Sequence, residues 1–261
     1  VEMVETLLPS PFVRLPLDAC QPRPAVDKHG HIGVHPQKQP GRFYVGVVLT
    51  VGRMSADQMR GLAEIADRFG DGELRLTVWQ NLLIPNVAEA DLPAVKAAIE
   101  DLGLDWKAGA ARSGLIACTG NAGCRFAASD TKRHALAIAD HLDANLAIDQ
   151  PVNIHLTGCP NSCAQHYIGD IGLLGAGVEV GDDLVEGYHL FLGGGYGPER
   201  GVGREVLRSV AAADVPKVVE QVLRVYQDRR SSPAESFDGF VRRHPTDQLQ
   251  AWIESREPAS S

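Results

Sequence analysis

Residues 43–51, FYVGVVLTV, and residues 55–70, SADQMRGLAEIADRFG, are neighbours with different periodicities. The first is an apolar run rich in Val with Phe and Tyr, the composition of a strand. In the second, Met59, Leu62, Ile65, Ala66 and Phe69 recur at helical spacing and share one face. Ser55 suits the N-cap, and Gly70 and Gly72 end the helix. Further on, LRLTVWQ (74–80) and NLLIPNV (81–87) form a strand region with a turn near Gln80-Asn81. DLPAVKAAIEDL (91–102) is a second helix, with Pro93 in its first turn. The order β-α-β-β-α predicts two helices on one face of a mainly antiparallel sheet, complete by about residue 110.

That pattern predicts an α+β chain whose first unit, residues 43–110, is a split ferredoxin-like half-domain. The preceding residues 1–42 are rich in Pro, Gly, Gln and His and are expected to be an irregular lead-in. His29, His31 and His35 there fit a solvated loop better than a metal site, and Cys20 a structural or idle thiol. Residues 111–245 change character. Short strands such as VNIHL (152–156) and YHLFLGG (188–194) alternate with helical stretches at 125–142, 214–229 and 235–242. This predicts a mixed α/β domain, with 246–261 as a tail.

The whole chain has 261 residues, 44% hydrophobic and 22% charged, a globular composition. Its net charge of −8 argues against a nucleic-acid partner. No apolar run approaches the roughly 20 residues of a membrane span, so no membrane partner is expected. The N-terminus lacks a basic stretch followed by an apolar core, which makes a cytoplasmic location the expectation. The first residue is Val, as expected for a chain processed or cut from something longer.

Of the five cysteines, four form two tight pairs. Cys118-Thr-Gly-Asn-Ala-Gly-Cys124 and Cys159-Pro-Asn-Ser-Cys163 are both rich in turn residues. In a reducing compartment such pairs are metal or redox ligands rather than disulfides. Four thiolates are the usual ligand set of a [4Fe–4S] cubane, and glycine-rich loops leave amide N–H groups free to bond its sulfurs. Zinc loops space their cysteines more closely than the first pair does. Spacing alone leaves iron–sulfur, zinc and unconnected thiols all open.

The two cysteine motifs together, C-T-G-N-x-x-C and T-G-C-P-N-S-C, resemble the sirohaem-dependent nitrite and sulfite reductases. The likeness extends beyond the cysteines. Arg75-Leu-Thr-Val-Trp-Gln-Asn-Leu82 is similar to that family's R-x-T-x-x-Q-N-L segment, and His189-Leu-Phe-Leu-Gly-Gly194 to its H-L-x-L-G-G turn. Asp170-Ile-Gly-Leu-Leu-Gly175 is similar to the segment following its second cysteine pair. The resemblance covers residues 43–245 and is to the C-terminal copy of a duplicated architecture. Trp79 stands where the N-terminal copy carries an arginine.

The resemblance implies two cofactors, a [4Fe–4S] cluster on Cys118, Cys124, Cys159 and Cys163 and a sirohaem whose iron shares the Cys163 sulfur. It implies six-electron reduction of nitrite to ammonia, closest to the ferredoxin-type assimilatory enzymes. The alternatives are sulfite reduction to sulfide, a precorrin-3B synthase-like activity and a non-catalytic electron-transfer module. Reduced ferredoxin or a flavoprotein would donate electrons. Much of the family's anion-binding machinery lies in the N-terminal copy, so no catalytic residue is assigned here and a missing half or second subunit is the expected partner. The macrocycle's carboxylates call for cations and amides, for which Arg75, Gln80, Asn81 and Arg125 are the candidates. Thr157 and Asn161 are expected to shape the second cysteine loop, and His189 either pairs with a propionate or is structural.

Overall fold

The structure, a computed structural model, describes residues 2–7, 16–20, 31–107, 109, 111–196 and 201–255. His29 lies outside them. After a short helix α1 (Glu2–Glu5), the first unit runs β1 (Gly33–Pro36), β2 (Arg42–Val47), α2 (Ala56–Phe69), β3 (Arg75–Leu76), β4 (Leu82–Ala88) and α3 (Leu92–Asp101). Its sheet has the order β1-β2-β4-β3, antiparallel throughout. Leu62, Ile65 and Ala66 of α2 and Val95 and Ile99 of α3 close over Val45, Val47 and Ile84 to make one core. A capping box starts α2: the Ser55 Oγ accepts from the Gln58 N–H at 3.1 Å, and the Gln58 Oε1 accepts from the Ser55 N–H at 2.9 Å. Such a cap contributes about 1 kcal/mol.

Two local expectations change. Met59, assigned to the buried stripe, is 57% exposed, because it lies on the flank of α2 away from the sheet. The lead-in is not wholly irregular: Gly33–Pro36 pairs with β2 through Val34 opposite Val45 and His35 opposite Tyr44. The His35 ring stacks on Tyr44 with centroids 5.0 Å apart, and its Nε2–H donates to the Ile32 carbonyl at 2.6 Å.

The second unit is a five-stranded mixed sheet in the order β5-β6-β7-β8-β9. Its strands are β5 (Leu115–Ala117), β6 (Ile154–Thr157), β7 (Ile171–Val180), β8 (Asp183–Leu192) and β9 (Arg204–Ala211). The first three are parallel, the last three antiparallel. Helix α4 (Thr131–Asn145) carries the chain from β5 back to β6. It begins later than the sequence suggested, at the Asp130 cap, because residues 125–130 serve the cysteine loop. Helices α5 (Val215–Arg229), α6 (Phe237–Arg242) and α7 (Thr246–Glu254) complete the layer. Ile138, Leu156, Leu190, Tyr226 and Phe240 meet in a second core, which Leu249 and Ile253 of α7 join. Residues 246–254 of the expected tail thus form a helix packed on the second core, anchored by two apolar side chains each worth roughly 1.5–3 kcal/mol on burial.

Candidate metal centre

Both cysteine pairs sit just past the C-terminal ends of adjacent parallel strands. Ala117 pairs with Leu156 in register, Cys118 follows β5, and Cys159 lies two residues after β6 ends at Thr157. In open α/β sheets this edge is where ligands bind. The loops are joined to each other. The Gly158 N–H donates to the Cys118 sulfur at 3.2 Å, and the Ala128 N–H to the Gly158 carbonyl at 2.7 Å. A side chain at Gly158 would put its Cβ 2.6 Å from that of Ala127, so the close approach of the loops depends on glycine there. Inside the first loop Gly120 has φ +70°, and a Cβ there would lie 2.7 Å from the Thr131 backbone nitrogen.

All four thiols are free of disulfides. Cys118, Cys124 and Cys159 are partly buried, whereas Cys163 is exposed. Among the described residues, no three Cys, His, Asp or Glu side chains converge closely enough to hold one metal ion. A cubane makes a different demand, since each thiolate takes its own iron at one corner of the cluster. Four thiols on two linked loops, one already accepting an amide N–H, have the donor chemistry of that group.

The sequence matches the family model for the nitrite/sulfite reductase ferredoxin-like half domain over residues 35–102, and that for the nitrite and sulphite reductase 4Fe-4S domain over 108–260. The chain belongs to the nitrite and sulfite reductase family. Nitrite and sulfite reductases of this family use a [4Fe–4S] cluster and sirohaem. The chain is 42% identical over 197 residues to the ferredoxin–nitrite reductase of Synechococcus elongatus, a match covering 76% of this chain and 38% of that protein. It is 31% identical over 258 residues to sulfite reductase [ferredoxin] 2 of Mycolicibacterium paratuberculosis, covering 96% and 46%. The solved structure of the Mycobacterium tuberculosis NirA protein superposes with a TM-score of 0.83 at 30% identity, covering 95% of this chain and 46% of that one. The chain therefore spans less than half the length of these nitrite and sulfite reductase relatives.

The second cysteine loop, whose family motif is T-G-C-P-N-S-C, is gripped by β6. Ile154 and Leu156 face the helix core, and the alternate residues His155 and Thr157 face the loop. The Thr157 Oγ1 accepts from the Ala164 N–H at 3.0 Å, and the His155 Nδ1–H donates to the Ala164 carbonyl at 2.9 Å. The residue after Cys163 is thus held at both its backbone groups. Sequence reasoning gave Thr157 this loop-shaping role and missed His155, whose signal was its place two residues before Thr157 on a strand. Asn161 is exposed in the loop.

Gln80 and Asn81 are expected at the cofactor, and the side-chain amides of both are hydrogen-bonded within the protein, mainly to backbone. The Asn81 side chain is buried. Its Oδ1 accepts from the Leu49 N–H at 2.9 Å, and its Nδ2 is within reach of the Trp79 and Ser113 carbonyls at 3.2 and 3.3 Å and of His31 Nε2 at 3.0 Å. Gln80, at φ +60°, faces Ala117. Both link the two units, because the turn carrying them packs against the start of the second sheet. The Trp79 ring packs at a tilt against Tyr196, with centroids 4.7 Å apart, and against His155 at 5.6 Å. Arg75 is exposed on the edge strand β3 and pairs with Glu73 at 3.0 Å. Arg125, beside Cys124, is exposed with its guanidinium 4.7 Å from the Phe126 ring centroid. The His189 Nδ1 accepts from the Ser209 N–H at 3.2 Å, a structural contact between β8 and β9.

Behind the first loop lies a polar network that sequence reading did not find. His134 shares a 2.8 Å hydrogen bond between Nδ1 and the Tyr188 hydroxyl, and its Nε2 lies 3.3 Å from Glu186. Burial lowers the His134 pKa and raises that of Tyr188. Burial alone would raise the Glu186 pKa, but the donors Asn121 and Asp130 and the nearby His134 and Arg133 hold it below the usual carboxylate value.

Proposed function

We propose that this chain is the cluster-and-sirohaem half, the C-terminal one, of a reductase that takes nitrite to ammonia in six electrons. In this reading Cys118, Cys124, Cys159 and Cys163 would hold the [4Fe–4S] cluster, and Cys163 would serve both it and the sirohaem. When bound, the two groups would supply electrons one at a time to the anion being reduced. The observation that carries the reading is the junction of the two cysteine loops at the ends of β5 and β6, with Gly158 bonded to Cys118. The chain's own contribution is positional. His155 and Thr157 hold the backbone beside Cys163, and the Gly158 amide lowers the charge on the Cys118 thiolate. Arg125, exposed beside Cys124, is the first candidate partner for a macrocycle carboxylate, and Arg75 the second.

The proposed boundary keeps the ferredoxin-like half-domain at residues 43–110 and begins the cluster domain at 111, in line with a first core reaching Trp106 and a second taking up at Ala111, to which Val51 also contributes. Reduced ferredoxin is the donor named for the relatives at 42% and 39% identity, and a second half or subunit completes the anion site. Sulfite is the second substrate reading, favoured by the ferredoxin-linked sulfite reductase that aligns with 96% of this chain.

Anaerobic reconstitution with iron and sulfide tests the cofactor assignment. The expected product binds about four irons per chain and takes up sirohaem with a Soret band. Cys163→Ser should lose the sirohaem band, and full retention of it would end the bridging assignment. Nitrite loss compared with sulfite loss, driven by reduced methyl viologen in the presence of the second half, separates the two substrates.

A further inference from the structure

Glu186 lies on β8, outside both cysteine loops, yet its two carboxylate oxygens reach both ends of the first loop. Oε1 accepts from the Asn121 side-chain amide, between Cys118 and Cys124, at 2.6 Å. Oε2 accepts from the Asp130 backbone N–H, where the chain leaves the loop for α4, at 3.1 Å. The same oxygen is 3.3 Å from His134 Nε2 and 3.4 Å from the Arg133 guanidinium. Glu186 is itself fixed to the sheet: it pairs with Gly177 on β7, and its carbonyl accepts from the Ala212 N–H at 2.8 Å. A side chain only one-third exposed, with four donors around it, is not a solvated surface acid.

The loop has bonds of its own between the same two segments, from the Asn121 N–H to the Ser129 carbonyl at 3.0 Å and from the Thr131 hydroxyl to the Cys118 carbonyl at 2.7 Å. These close the loop on itself, and the buried Ser129 hydroxyl fastens its far end to β8 by donating to the Gly187 carbonyl at 2.9 Å. The Glu186 carboxylate adds a second tie to β8, and it alone of the two engages Asn121, between the cysteines, as well as Asp130. It also sets a negative charge against the loop that carries Cys118 and Cys124, and the potential of a cluster responds to charge and hydrogen bonding around it.

We propose that Glu186 is a positioning residue for the Cys118–Cys124 loop, and that its charge depresses the reduction potential of the centre these cysteines hold. The second clause rests on the four-cysteine ligand set. The first does not.

The test uses the full chain with three substitutions. Glu186→Gln keeps an acceptor of the same reach and removes the charge. Glu186→Ala removes both. Glu186→Asp keeps the charge one methylene short and carries the exchange measurement if Glu186→Ala fails to fold. In the metal-free chain, hydrogen exchange of the amides in residues 119–131 should be several-fold faster in Glu186→Ala, with exchange in β6 and β7 unchanged. In the reconstituted chain, the midpoint potential of Glu186→Gln should shift upward with iron content retained. Unchanged exchange across 119–131 overturns the positioning role. An unchanged potential in Glu186→Gln overturns the role of the charge. A wild-type chain that binds no iron overturns the ligand set instead, and the exchange measurement still decides the positioning role.

Discussion

The side-chain amide of Gln80 bonds both backbone groups of Ala117: Nε2 donates to the carbonyl at 2.8 Å, and Oε1 accepts from the N–H at 3.1 Å. Ala117 is the last residue of an edge strand and directly precedes Cys118. Successive residues of a strand aim their backbone groups at opposite edges, so those of Ala117 point away from β6 and need another partner. A glutamine from the first unit takes the place of a neighbouring strand. Gln80→Glu keeps the shape but presents two acceptors to a carbonyl. It should cost about 1–3 kcal/mol, the price of leaving a buried backbone group unpaired. Urea unfolding followed by circular dichroism measures this, and no loss of stability would mean that the pairing contributes nothing.

Asn81 makes a stronger prediction because it is 2% exposed. Asn81→Leu has similar bulk but leaves the Leu49 N–H and the Ser113 carbonyl without their side-chain partner. The expected loss is about 2–3 kcal/mol. Because Leu49 belongs to the first core and Ser113 leads into β5, the unfolding transition should also broaden or split as the two units uncouple. A single sharp transition at the wild-type midpoint would contradict the linking role.

Local pattern made the helices and cysteine loops legible. The α2 stripe, the Ser55 cap and the turn at Gln80-Asn81 are each fixed within a few residues of sequence. The contacts that place the site are long-range. Gln80 and Ala117 are 37 residues apart, and Asn121 and Glu186 are 65 apart. No periodicity links such pairs, so neither the Gln80–Ala117 bonds nor Glu186 can be found from the sequence pattern. Strand β1 was hidden for a different reason. It is four residues long, ends in Pro36 and lies at a sheet edge, where a missing N–H costs little.

The C-terminal helices carry a pH dependence with a definite sign. The Arg243 guanidinium, 2.6 Å from Glu235, together with the Ser231 N–H, lowers the Glu235 pKa to about 2 from its ordinary 4.5. A carboxylate depressed on folding adds stability that is fully present above its unfolded pKa and is lost as pH falls through the folded one. The Glu235 contribution is therefore complete above about pH 4.5 and declines between there and about pH 2. Glu235→Gln should be less stable than wild type at pH 7, and the difference should shrink across that window. Chemical unfolding at pH 7, 4 and 3 would show it, and a constant difference would remove the assignment.

The hold on Ala164 gives a prediction that reaches the metal centre. Thr157→Val replaces the hydroxyl with a methyl group of nearly the same size. It removes the acceptor for the Ala164 N–H and leaves the bond from His155 intact. Thr157 is fully buried, so the orphaned amide should cost about 1–3 kcal/mol. Cys163 precedes Ala164, so the strain falls on the proposed bridging thiolate. The reconstituted variant should keep its fold by circular dichroism, bind less sirohaem than wild type and show a shifted visible band. Thr157→Ser restores the oxygen and should restore both the amount and the position of that band. If Thr157→Val matches wild type in both while Thr157→Ser does not, the Thr157 hydroxyl is not what sets the Cys163 position.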